Sequence, residues 1–224
     1  MKKILITCPP MIENISLLKD DFKKANFSYV IPEDYPNVEY ATLLKMLPEH
    51  EAWIAGDDLG NRELLETAQK GKLREVVKWG VGIDNIDTEA CKDLGLKFSH
   101  TPNMFGGEVA DLAICYLIAL NRSVLEVHNG VLSGNWPKIT GRSMQGRNVG
   151  VLGCGDIGSA LIQRLKSFEV NIVAWDPMVT IADKQVSHKP WPNSLKSCDD
   201  LILTCSLQKE NFHIINTDTI KLMK

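Results

Sequence analysis

The chain has 224 residues, enough for two modest domains or one large one, and a hydrophobic fraction of 44% that suits ordinary globular cores. Its formal charge is −3 and no basic block stands out, so nothing electrostatic supports a nucleic-acid partner. The most apolar window, residues 109–120, carries Asp111 and is too short to span a bilayer, which argues against a membrane protein.

Short apolar runs alternate with helical patterns from the start of the chain. Residues 4–6 read as a strand and 15–25 as an amphipathic helix. Residues 27–31 form a second strand, followed by a helix around 40–47. Residues 52–55 are a third strand, and 62–69 a helix. A fourth strand over 76–79 leads into Gly80-Val81-Gly82. Asp87 is the expected N-cap of a helix over 88–94, with Gly95 as its stop. Residues 96–98 are a fifth strand. Five such units predict a parallel sheet covered on both faces.

The pattern changes after Thr101-Pro102-Asn103. A long helix is predicted over 107–124, with Val109, Leu112, Ala113, Tyr116, Leu117 and Leu120 on one broad apolar face, as a connection between two domains. A further helix ends near residue 132, and a polar loop follows over 141–147.

Residues 148–177, NVGVLGCGDIGSALIQRLKSFEVNIVAWDP, organise the second half. A short apolar run is followed by Gly153, Gly155 and Gly158 as G-x-G-x-x-G, then by apolar residues at helical spacing. A second apolar run ends in Asp176, 18 residues after Gly158. In a dinucleotide site the first glycine makes the tight turn and the second admits the pyrophosphate. The third lets helix and strand pack closely. The helix start, at Asp156 and Ile157, offers free N–H groups and the positive end of its dipole. Asp176 is placed to receive the hydroxyls of an adenosine ribose and to repel a 2′-phosphate, so NAD is expected rather than NADP.

Beyond Asp176, residues 185–187 read as a short strand, 194–198 as a short helix and 201–204 as a strong buried strand. Cys205 and Ser206 then lie in the loop at that strand's carboxyl end, where a doubly wound sheet binds its ligand. A last helix is expected over 217–223. A six-strand dinucleotide fold needs at least two more strands than these residues supply. The six cysteines include no CxxC pair and the five histidines share no metal-ligand spacing. No metal site is expected, and the chain reads as a reduced cytoplasmic protein. Cys154, between two glycines, reads as a space-filling thiol.

The stretches KWGVGIDNID (78–87), TPNMFGGEVAD (101–111), the cofactor unit and LTCSLQKENFHIINTDTIKLMK (203–224) occur in one order along nearly the whole chain. Together they resemble the D-isomer-specific 2-hydroxyacid dehydrogenases, the phosphoglycerate dehydrogenase-like group. The resemblance implies an α/β protein with parallel sheets. Residues 1–100 would be a flavodoxin-like substrate-binding domain without its usual C-terminal return. Residues 101–224 would be an incomplete Rossmann-type NAD-binding domain. It also implies a homodimer built through the cofactor domain, with the helix over 107–124 near the interface.

By the same resemblance, Lys78, Trp79, Gly80, Val81 and Gly82 correspond to the family's substrate loop, whose backbone N–H groups hold the substrate carboxylate. Consecutive N–H groups in a turn do form an anion-binding concavity. Lys78 stands where many members have arginine, keeping the charge without the bidentate fork. Asp57 and Asp58 stand where phosphoglycerate dehydrogenases carry a basic residue, and carboxylates there would repel a phosphate-bearing substrate. Asn85 and Asp87 are expected to fix the loop, and His100 to serve packing or a hinge.

The implied function is hydride transfer between NAD(H) and a 2-hydroxy or 2-keto acid. The alternative is an inactive NAD-binding relative acting as a sensor or interaction module. The family's catalytic arginine, glutamate and histidine match nothing in these residues, since all three lie downstream of the motif that ends at Lys224. No catalytic residue is therefore named, and the 224 residues alone are expected to lack turnover.

Overall fold

Runs such as Ile4-Leu5-Ile6 become strands buried on both faces, which is why they lack the alternation of half-exposed strands. The computed structural model describes residues 1–224, and these divide into two compact units, Met1–Met104 and Phe105–Lys224.

In the first unit, strands β1 (Lys2–Ile6), β2 (Phe27–Val30), β3 (Ala52–Ala55), β4 (Glu75–Lys78) and β5 (Lys97–His100) form one sheet in the order β2-β1-β3-β4-β5. All pairings are parallel, the flavodoxin-like arrangement. Helices α1 (Pro9–Glu13), α2 (Ile15–Lys24), α3 (Tyr40–Met46), α4 (Arg62–Lys70) and α5 (Thr88–Asp93) connect them. Side-chain alternation divides the core in two. Leu5, Trp53, Ala55 and Val76 pack with α3, α4 and α5, while Ile4, Ile6 and Met11 pack with Phe22 of α2. Asp87 caps α5 as its position predicts, accepting from the Ala90 N–H at 2.7 Å, and Gly95 ends the turn at φ +68°.

The second unit opens with α6 (Gly106–Asn121) and α7 (Val124–Leu132). The predicted single helix to residue 124 stops earlier, because Ser123 turns the chain at φ +50°. Strands β6 (Asn148–Leu152), β7 (Asn171–Trp175), β8 (Val186–His188) and β9 (Asp200–Leu203) then form a parallel sheet in the order β8-β7-β6-β9. This is the first half of a Rossmann-type sheet, extended by one strand beyond β6. Helix α8 (Asp156–Leu165) covers one face with α6, burying Leu161, Ile162 and Leu165 against Val149, Val151 and Ile172. The other face buries Trp175, Val173 and Leu195. A short α9 (Thr217–Lys221) follows.

Two features differ from the sequence expectation. The strand over 201–204 reads as buried, yet β9 is only half-buried and Leu203 is 47% exposed. It is an edge strand paired on one side to β6, and composition does not report a missing neighbour. The apolar stripe of α6 also splits. Ala110 and Leu117 enter the core, whereas Val109, Leu112, Tyr116 and Leu120 line an open groove beside β9. A polar link holds this region together: Asp200 pairs with Arg147 at 2.9 Å and accepts from Asn121 Nδ2 at 2.9 Å, joining β9, the start of β6 and the end of α6.

Candidate functional site

The second unit builds its candidate site where β6 turns into α8. Gly153 has φ +97°, a conformation open to glycine, and its N–H donates to the Trp175 carbonyl at 2.8 Å. A Cβ on Gly153 would lie 2.4 Å from the Cys205 nitrogen, and one on Gly158 would lie 2.0 Å from the Gly153 carbonyl oxygen. A Cβ on Gly155, by contrast, would meet nothing within 4 Å. The first and third glycines thus answer to the protein's own packing, and the second faces open space. The N–H groups of Asp156, Ile157 and Gly158 find no acceptor within the chain, as expected for a helix start. They leave a donor-rich concavity that a pyrophosphate fits.

Side chains fix this turn. Thr204 Oγ1 donates to the Gly153 carbonyl at 2.7 Å, and Ser159 Oγ donates to the Cys154 carbonyl at 2.7 Å. Asp176, at the carboxyl end of β7, accepts the Cys154 N–H at 2.7 Å on one oxygen. Its other oxygen accepts the Met178 and Val179 N–H groups, each at 2.8 Å. Burial alone would raise the Asp176 pKa. The three backbone donors outweigh it and hold the carboxyl below its usual range. The carboxylate therefore stays ionised and aimed, with lone pairs to spare for a ligand hydroxyl. Cys154 is buried and its thiol is pushed up to about 11, by burial first and by the Asp176 charge second, which suits a space-filling group rather than a redox one. Cys205 lies against the glycine turn through its backbone, and Ser206 follows it exposed.

In the first unit, Lys78 closes β4 and is only 4% exposed. Its ammonium donates to the Gly56 carbonyl and pairs with Asp57 at 2.9 Å. Asn85 Nδ2 donates to the same Gly56 carbonyl at 3.1 Å and to the Asp58 carbonyl at 2.6 Å, tying the loop after β4 to the loop after β3. The Gly80 N–H is already used, donating to Thr101 Oγ1 at 3.0 Å. The N–H groups of Val81 and Gly82 form no hydrogen bond within the chain. The concavity expected over residues 80–82 thus narrows to two donors, at a pocket of about 500 Å³ lined also by Trp79, Asp84 and Asn85. Thr101, Thr204 and the Gly56 carbonyl act through oxygens whose partners lie far along the chain, which a sequence pattern does not expose.

No cluster of three metal-binding side chains exists, and no helix is long and apolar enough to cross a membrane. None of the histidines stands within ion-pair distance of a carboxylate. His100 stacks on Phe98, with ring centroids 6.1 Å apart, consistent with packing.

A parallel α/β unit with an open glycine turn and an acid ending the next strand is a dinucleotide-binding domain. Residues 114–224 match the model of the D-isomer specific 2-hydroxyacid dehydrogenase, NAD binding domain. The chain belongs to the D-isomer-specific 2-hydroxyacid dehydrogenase family, and its cofactor is NAD. It is 29% identical to glyoxylate reductase of Pyrococcus horikoshii over 235 residues, covering 99% of this chain and 68% of that one. It is 31% identical to D-lactate dehydrogenase of Escherichia coli over 172 residues, covering 75% of this chain and 52% of that one. The apo structure of Escherichia coli D-lactate dehydrogenase superimposes with a TM-score of 0.80 at 26% identity, covering 100% of this chain and 71% of the other. These relatives are named as reductases and dehydrogenases, and nothing among them supports a non-catalytic sensor.

The glycine geometry separates two substitutions. Gly158→Ala drives a methyl into the Gly153 carbonyl and should lower the thermal midpoint by several degrees, the scale of about 1–3 kcal/mol for overpacking. Gly155→Ala meets no atom and should leave the midpoint within about a degree. Differential scanning fluorimetry of the two variants checks the contrast, and equal losses would contradict it.

Proposed function

We propose that the chain serves NAD-dependent interconversion of a short 2-hydroxy acid and its 2-keto acid, as the names of its relatives, glyoxylate reductase and D-lactate dehydrogenase, suggest. The observation that carries this reading is the free helix start at α8 with Asp176 bound to the same turn. In it, Gly153, Gly155, Asp156, Ile157, Gly158, Asp176, Cys205 and Ser206 hold the cofactor. Residues 1–100 bind substrate through Lys78, Trp79, Gly80, Val81 and Gly82, with the Val81 and Gly82 N–H groups receiving the carboxylate. Bound NAD supplies the hydride donor or acceptor. The chain's own residues bind and orient both partners.

Fluorescence titration tests the cofactor side. The unmodified chain should bind NADH at least about tenfold more tightly than NADPH, since a 2′-phosphate would face the Asp176 carboxylate. Asp176→Ser should narrow that ratio. Equal affinities in the unmodified chain would refute the assignment of Asp176.

No histidine here is paired with an acid, and positioned acid–base catalysis typically contributes about 10²–10⁴-fold. One oriented electrostatic donor contributes about 10²–10³-fold more. The 224-residue polypeptide should therefore bind NADH yet show no enzyme-like turnover. Absorbance at 340 nm with a panel of 2-keto acids checks this, with intact mass confirming the polypeptide assayed.

We also infer a homodimer through the second unit, supported by the exposed Tyr116 and Leu120 of α6 and Leu125 and Leu132 of α7. The six unpaired thiols accord with a reducing, cytoplasmic setting. Multi-angle light scattering should give the mass of a dimer at micromolar concentration, and a monomer throughout that range would remove this part of the reading.

A further inference from the structure

The pocket at the end of β4 has an unusual charge arrangement. Its one cation, Lys78, is buried beneath the glycine turn: a Cβ on Gly80 would lie 3.7 Å from the lysine Nζ. Two of the three ammonium protons are engaged, by the Gly56 carbonyl and by Asp57. The Asp57 side chain is fully exposed, so Lys78 reaches up from the interior and Asp57 meets it from the solvent side. Asp84 supplies a second carboxylate, since a Cβ on Gly82 would lie 3.3 Å from Asp84 Oδ1. The ionisable groups of the pocket therefore sum to −1, with Asp57 and Asp84 against Lys78 alone. Asp58 does not line the pocket, and its Oδ2 is turned to the fold, accepting from Thr7 Oγ1 and from the Gly56 N–H at 3.0 Å.

These charges act on any anion held by the Val81 and Gly82 N–H groups. Two N–H donors and a shared ammonium can compensate one carboxylate. A second negative charge on the same small molecule has no uncommitted cation to meet, and it lies among two carboxylates. We propose that Asp57, by occupying Lys78, and Asp84 together restrict this pocket to acids carrying a single negative charge, excluding dianionic and phosphorylated ones. The proposal rests on residues 78–82 being the substrate site, and it adds the substrate's charge class. Asp57 acts through Lys78 and is a specificity-determining residue of positioning kind.

Oxamate and oxalate are nearly the same size and shape and differ by one unit of charge, which makes them suitable probes. Each is titrated into the 15N-labelled 224-residue chain at fixed ionic strength while the Val81 and Gly82 amide signals are followed. Oxamate should bind about tenfold more tightly than oxalate, the scale of one unit charge a few ångströms away in a partly hydrated pocket. Asp57→Asn should narrow the ratio several-fold by freeing the Lys78 ammonium, and Asp84→Asn should narrow it by removing the second carboxylate. The rest of the amide spectrum reports whether each variant is folded, and the ratio in the unmodified chain stands independently of both. If both ligands shift these amides with equal affinity, or if folded variants leave the ratio unchanged, charge selection is overturned and the site reading survives. If neither ligand shifts them, the site reading fails and charge selection fails with it.

Discussion

The second unit depends on one close approach: α8 begins against the end of β6 because neither Gly153 nor Gly158 has a side chain there. The Gly153 carbonyl fills the space a Cβ of Gly158 would need. Once helix and strand meet this closely, the other restraints fall into place around the same carbonyl and its neighbour. Thr204 reaches the Gly153 oxygen from the end of β9, Ser159 reaches the Cys154 oxygen from α8, and Asp176 holds the Cys154 N–H from the end of β7. Three strands and a helix are thereby registered on two peptide units, and the donor-rich helix start is left facing outward.

The first unit reaches a comparable result by different means. The glycine turn after β4 leads into no long helix, because α5 has six residues and starts only at Thr88. Ions and carbonyls take the place of close glycine packing. Lys78 and Asn85 converge on the Gly56 carbonyl, while Asp58 secures the other side of that loop. Steric contact sets one turn and electrostatics sets the other. Screening by salt should then act differently on the two, since close packing is insensitive to ionic strength and an exposed partner such as Asp57 is not.

Much of this fold is legible in the sequence because fully buried parallel strands and their connecting helices leave strong local patterns. The strand runs of both units, the Asp87 cap and the glycine turn before Asp176 all follow from residues within a few positions of one another. What escaped had mostly distant causes, the end of α6 being the local exception. The exposure of β9 depends on an absent neighbour, and the early end of α6 on Ser123 taking positive φ. The loss of the Gly80 N–H to Thr101 depends on a partner 21 residues away. Lys78 is the sharpest case: its burial depends on Gly56 and Asp57, more than twenty residues earlier, returning beside it.

The hydrogen bonds around Thr7 carry a practical consequence. Trp53 is wholly buried, and its indole N–H donates to Thr7 Oγ1 at 3.0 Å. Thr7 in turn donates to Asp58, the neighbour of the carboxylate that clasps Lys78. A chain of two hydrogen bonds therefore joins the interior indole to the loop at the rim of the pocket. A rearrangement that broke the Thr7–Asp58 bond would change the hydrogen bonding at the indole nitrogen, so a tryptophan set in the core stands two bonds from a surface loop.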